Sequence, residues 1–153
     1  MFTYARILMV FVLIGLAACQ SKETITIKTP SGQQAVFSVS IAQTLEQQQK
    51  GLMFVDDMPE GQGMLFAYSQ PSITKFWMRD TLIPLDMLFF DVNGVLRHVE
   101  HSAIPHDESP RGPDTPICFV LEINGGLAEK MNITVGSKLI TDIPQECLQS
   151  PNN

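Results

Sequence analysis

Leu85-Asp86-Met87-Leu88-Phe89-Phe90 leads through Asp91-Val92-Asn93-Gly94 into Val95-Leu96-Arg97-His98-Val99-Glu100-His101. The first six residues are apolar at every position but one. A strand with one wet face alternates, so this run belongs in the middle of a core, covered on both faces. Asn93-Gly94 is the strongest local turn signal in the chain, because a two-residue type I′ turn needs residues that tolerate positive φ. The stretch therefore reads as a β-hairpin with a buried first strand. A two-residue loop pairs Val92 with Val95. Stepping outward, it pairs Phe89 with His98, Leu88 with Val99 and Asp86 with His101.

Short strands and tight turns recur on both sides of this hairpin. Thr24–Lys28 alternates, Pro30-Ser31-Gly32 turns, and Gln34–Ile41 returns. Gly63–Ala67, Thr74–Met78, Ile117–Ile123 and Lys138–Thr141 read as further strands, and Asp56–Gly63 as a loop. Thr44-Leu45-Glu46-Gln47 has the pattern of a capping box, so a short helix is expected from Leu45 to about Gly51. A turn or two of helix is expected over Leu127–Met131. Ser102–Pro116 contains prolines 105, 110, 113 and 116. An irregular segment of that length in a small domain is either functional or disordered. The pattern predicts a mainly β domain, a compact β-sandwich or barrel-like fold with one or two short helices.

The N-terminus carries an address. Arg6 is the only charge before Cys19, and Ile7 to Ala18 are all apolar or glycine. The run is too short to span a membrane, which takes about 20 apolar residues. It has the parts of a secretory signal: a basic start, an apolar core and small residues before a cut. Leu16-Ala17-Ala18-Cys19 resembles the lipobox of bacterial lipoproteins. That resemblance implies a signal peptide over residues 1–18 and lipidation of Cys19. A diacylglycerol plus an acyl chain anchors firmly, whereas one chain binds marginally. Gln20 in place of Asp favours the outer membrane, facing the periplasm, in a Gram-negative host. The expected organisation is then a lipidated tether over 19–23, a β domain over 24–143 and a polar tail over 144–153.

Composition narrows the partners. The chain has 10 basic and 16 acidic residues. Loss of the leader removes one base and no acid. A chain this acidic, with no basic stripe, is a poor match for nucleic acid. Attachment to a membrane must come from the acyl chains. With Cys19 spent on lipid, Cys118 and Cys147 remain for an oxidising compartment, where they either pair or stand as separate buried thiols.

Three segments taken together carry a second resemblance. Gly51-Leu52-Met53 is followed by Gly63-Met64-Leu65-Phe66. Then comes Phe76-Trp77-Met78-Arg79-Asp80-Thr81-Leu82-Ile83-Pro84-Leu85-Asp86, and later Val120-Leu121-Glu122 with Gly126. This pattern resembles the family catalogued as domain of unknown function 192, over roughly Thr24 to Asp142. The resemblance implies a small, mostly β, sandwich-like and often exported domain. It implies no reaction. The family usually carries Asn where this chain has Asp80, an exchange of an amide that donates and accepts for a carboxylate that only accepts.

Several constellations could carry function. An extended Thr74–Met78 turns Phe76 and Met78 to one side and Trp77 to the other. Trp77, Arg79, Asp80, Thr81 and Asp86 then gather at a strand end and its turn. An indole plane beside carboxylates and a guanidinium suits a sugar or another polar ring. The competing reading is structural: Arg79 pairs with a carboxylate, Asp80 and Thr81 hold the turn, and Trp77 is core. Asp80 and Asp86 as acid and base would make a glycan hydrolase. Asp86 opposite His101, with Cys118 or Ser102 as nucleophile, would make another hydrolase, though a plain cross-strand ion pair explains the pairing equally. His98, His101 and His106 with Met53, Met58, Met64, Met78, Met87 and Met131 suit copper in type. His98 and His101 point to opposite strand faces, however, and the methionines read as core filler, so no metal or cofactor is assigned. The expected role is a membrane-anchored, non-enzymatic envelope module that binds a glycan or protein partner. Its best surface is the Trp77–Asp86 segment with the Ser102–Pro116 loop.

Overall fold

The computed structural model describes residues 22–142 and Cys147. Seven strands form a single sheet: β1 (Lys22–Lys28), β2 (Gln34–Ala42), β3 (Gln62–Ser72), β4 (Leu85–Phe90), β5 (Leu96–Ala103), β6 (Ile117–Asn124) and β7 (Lys138–Ile140). Two short helices accompany them, α1 (Leu45–Lys50) and α2 (Leu127–Lys130). The order across the sheet is β5-β4-β6-β3-β2-β1-β7. The sheet curls until its two edge strands touch at their starts. Val95, just before β5, bridges Lys138 at the start of β7, and the Leu139 N–H donates to the Gly94 carbonyl. Of the two expected architectures, the barrel-like one is present: a curled half-barrel rather than two stacked sheets.

The two most apolar runs take interior positions in this curl. β4 lies between β5 and β6, and β6 between β4 and β3. Alternation of side chains divides the buried residues into two cores. All seven strands feed the first, including Ile25, Phe37, Leu65, Phe90, Leu96, Leu121 and Leu139. The opposite face of the central strands holds Met64, Phe66, Met87, Phe89 and Val120. Leu52, Met58, Phe76 and Met78, from irregular segments, cover that second core. The methionines weighed as copper ligands are mostly here: Met58, Met64, Met78 and Met87 are buried among apolar neighbours.

The pairings are antiparallel except β2 with β3. Parallel neighbours need a long crossover, and residues 43–61 supply it. α1 starts this crossover with the capping box read from sequence. Thr44 Oγ1 accepts from the Gln47 N–H, and Gln47 Oε1 accepts from the Thr44 N–H.

The hairpin differs from its expected form. Asp91 pairs with Val95, and the Gly94 N–H donates to the Asp91 carbonyl. Three residues therefore form the loop, not two. Only Gly94 has positive φ, at 69°, whereas type I′ needs two such residues. The Asp91 carboxylate decides the matter by accepting from the Asn93 and Val95 N–H groups. An extra residue at Arg97 then restores the expected pairings Phe89–His98 and Leu88–Val99. A further bulge between Met87–Glu100 and Leu85–Ala103 removes the expected Asp86–His101 pair.

Two other segments depart from expectation. β3 runs to Ser72, through a register shift after Ala67. Thr74–Met78 is extended but joins no named strand. Phe76 instead exchanges backbone bonds with Arg111, and the Met78 N–H donates to the Asp107 carbonyl. These bonds order the proline-rich loop. Gly112 makes the approach possible, since at its φ of +118° a Cβ would lie 2.9 Å from the Phe89 ring. Arg111 holds Glu100 and Asp107, and Lys75 holds Asp114. Finally, Cys118 on β6 is bonded to Cys147, with Cα atoms 5.9 Å apart. The signal peptide, Cys19 and the rest of the tail lie outside the described residues.

Candidate functional site

β4 and β6 each place one carboxylate inside an apolar strand, and the two have opposite environments. Asp86 is fully buried on the side of the first core. Its Oδ1 accepts from the Ser102 N–H at 2.8 Å and the Gly126 N–H at 2.9 Å, and its Oδ2 from the Ala128 N–H at 2.8 Å. Gly126, the N-cap of α2, has no side chain to cap with. Asp86 supplies that cap from a neighbouring strand. It also fixes the β5 bulge through Ser102, whose φ is 47°. Both oxygens are thus committed to backbone donors, and His101 is exposed to solvent. Asp86 is a structural hub, so neither the Asp80/Asp86 acid–base pair nor the Asp86–His101 dyad exists. Cys118, in a disulfide, is no nucleophile either.

Glu122 is the counterpart on the second face. Its ladder neighbours are Met64 on β3 and Met87 on β4. The residue is 4% exposed. Among the described residues no donor bonds its carboxylate. Burial without compensation disfavours the charged form, and it pushes the Glu122 carboxyl up to about 8. Burial also raises the Tyr68 phenol to about 12; a hydrogen bond with Thr74 opposes this and the nearby Glu122 adds to it.

Glu122 is not sealed in. It lies in the lining of a cavity of about 570 Å³, a volume typical of small-molecule sites. The crossover contributes Gln48, Lys50, Gly51, Leu52 and Met53 to this lining. β3 contributes Phe66 and Tyr68, and the 74–81 segment contributes Thr74, Phe76, Trp77, Arg79 and Thr81. Phe66 and Phe76 meet edge to face, with centroids 4.9 Å apart. Phe76 meets Phe89 the same way at 5.7 Å. Trp77 stands at the opening, 44% exposed, with the Arg79 guanidinium 4.1 Å above its ring.

Of the residues singled out in the sequence, Trp77, Arg79 and Thr81 line the cavity. Trp77 is therefore not core, and Arg79 stacks on it rather than holding a carboxylate. Thr81 is buried, with its N–H on the Met78 carbonyl. Asp80 is absent from the lining. Its φ of 55° explains the residue: Asp, like Asn, tolerates the left-handed region. Its carbonyl accepts from the Phe54 N–H, which ties the crossover to the Trp77 segment. The Ser102–Pro116 loop braces that segment from behind through Arg111 and Lys75. Among the described residues no three His, Cys, Asp or Glu side chains gather to hold a metal. Sequence reasoning missed Glu122 and Tyr68 as site residues. The available signal was a lone charge in Ile117–Ile123.

Comparison with known proteins places the chain among relatives of this shape. No curated protein sequence matches it. A crystal structure of a protein of unknown function from Novosphingobium aromaticivorans is 38% identical, with a TM-score of 0.75, over 78% of this chain and 84% of that one. A protein from Sinorhizobium meliloti, described as a candidate transcription regulator, is 32% identical with a TM-score of 0.78, over 80% of this chain and 95% of that one. The family model of domain of unknown function 192, described as an uncharacterized ACR, matches residues 26–141. The chain belongs to that family.

Proposed function

We propose that the protein is a lipid-anchored envelope module that binds a small ligand in the Glu122 cavity and carries out no reaction of its own. The observation that carries this reading is the cavity itself: aromatic walls, an indole at the opening and an unpartnered carboxyl in the lining. A few placed polar groups in an apolar pocket fix a ligand's orientation. Catalysis on the carboxylate model would need a second acid or base facing Glu122. Tyr68, which feels the Glu122 charge, keeps its proton at physiological pH and cannot act as that base. The lipid anchor rests on Leu16-Ala17-Ala18-Cys19, and an oxidising envelope suits the Cys118–Cys147 bond. The acidic balance of the chain gives no support to a nucleic-acid partner.

The test is a thermal-shift and calorimetric screen of residues 19–153 against amino sugars, peptidoglycan fragments and short peptides. Binding should appear, and Trp77→Ala should abolish it in a folded protein. A ligand that binds Trp77→Ala unchanged would overturn the site. Replacing Cys19 with Ser should release the full chain from membranes, and retention would remove the anchor.

A further inference from the structure

We propose that the Glu122 cavity selects ligands bearing a protonated amine, which the Glu122 carboxylate and the surrounding aromatic rings hold together. The inference deepens the binding reading above and rests on it.

The geometry argues from what the carboxyl lacks. Asp86 shows how this fold keeps a buried carboxylate when its role is structural: three backbone N–H groups surround it. Glu122 is nearly as buried, 4% exposed against 0%, and has no such donor among the described residues. A buried carboxyl left without partners costs stability, yet this one faces open volume. An entering ammonium group would supply both the missing charge and the missing donors.

The walls favour the same chemistry. Phe66, Tyr68, Phe76 and Trp77 line the cavity with ring surfaces, and cations are held over such surfaces. Arg79 demonstrates this on the protein's own side chain by lying over Trp77. It occupies one indole face as a guest cation would. The charged and titratable groups sharing the cavity are Lys50, Tyr68, Lys75 and Arg79. Lys75 is bound to Asp114 and to the Gly112 and Pro113 carbonyls. Glu100, paired with Met87 on the strand beyond, is held by Arg111. None of these groups bonds the Glu122 carboxylate.

Amine capture has a proton balance. Free Glu122 is largely protonated at pH 7, and the ammonium requires the carboxylate. Each binding event therefore releases the carboxyl proton to buffer, with no other bond made or broken.

Phenethylamine and its uncharged isostere 2-phenylethanol form the matched probes, titrated calorimetrically into the 19–153 protein in buffers of different ionisation enthalpy. The amine should bind at least tenfold tighter at pH 7. It should release most of a proton at pH 7, and the net release should vanish toward pH 9, where the carboxyl is already ionised and part of the amine must first take up a proton. Glu122→Gln should remove most of the preference while retaining 2-phenylethanol binding, and Trp77→Ala should weaken the amine more than the alcohol. Equal binding of the two probes would overturn the amine inference and leave the cavity as a binding site. An amine preference undiminished by Glu122→Gln would also overturn it. Failure of both probes to bind would overturn the binding reading with it.

Discussion

Glu122 makes the stability of this protein fall as pH rises through the neutral range. Its carboxyl titrates near 4.5 when unfolded and near 8 when folded. Between those values the folded state keeps a proton that the unfolded state has released. Stability is then lost with increasing pH, because the native state binds more protons. The full contribution is present below pH 4.5, declines across the window and is constant above about 8. At pH 7.5 the interval crossed is three units, worth roughly 4 kcal/mol at 1.36 kcal/mol per unit. That is a large share of an ordinary domain's 5–15 kcal/mol. Glu122→Gln keeps the shape and removes the titration. Urea unfolding at pH 4.5, 6 and 7.5 should show the variant matching the native protein at the lowest pH. At the highest it should exceed the native protein by roughly 4 kcal/mol. Parallel pH profiles for the two proteins would refute the burial argument. They would mean that Glu122 is ionised and paired at neutral pH.

Asp86→Asn should behave oppositely: the amide leaves one backbone N–H facing a donor, so about 3 kcal/mol and about 10 °C of melting temperature should be lost. A hydrolase dyad would instead predict lost turnover with the melting temperature intact. The Cys118–Cys147 bond spans 29 residues, and chain entropy over that loop is worth about 3–4 kcal/mol. Chemical denaturation with and without reductant should show a loss approaching that size, and the Cys118→Ala/Cys147→Ala double variant should be indifferent to reductant. No effect of reductant would mean that the bond is absent from the protein in solution.

The β-strands were legible because their signals are local. The Leu85–Phe90 run carries its own burial, and Thr44 with Gln47 carries the start of α1. The hairpin loop was misread by one residue because Asp91, outside the Asn-Gly pair, holds the turn. The Asp86–His101 pairing was misread because a bulge there depends on Ser102, Gly126 and Ala128 converging on one carboxylate. No sequence spacing encodes that convergence. Half of the candidate site was visible for a similar reason. Trp77, Arg79 and Thr81 are neighbours in the chain, whereas Glu122 and Tyr68 reach them only through the curl of the sheet. Two strands with a single acid each look alike as text. Their difference lies in the number of N–H groups pointing at the acid.

The parallel pairing of β2 and β3 has a consequence for how such a site can change. Parallel neighbours cannot be joined by a tight turn, so the fold must carry a long detour between them. Here that detour, residues 43–61, is also a wall of the cavity. Strand pairing holds it only at its two ends, Ala42 and Gln62, and single hydrogen bonds hold the stretch between, from Gln48 to the Ala67 carbonyl and from Asn124 to the Met58 carbonyl. Between those ends, residues can be added or removed without shifting any strand register. The pocket's shape is therefore adjustable by loop length, while its carboxyl stays pinned to an interior strand of the sheet. A scaffold so arranged can keep its buried carboxyl in place while the segment beside it varies.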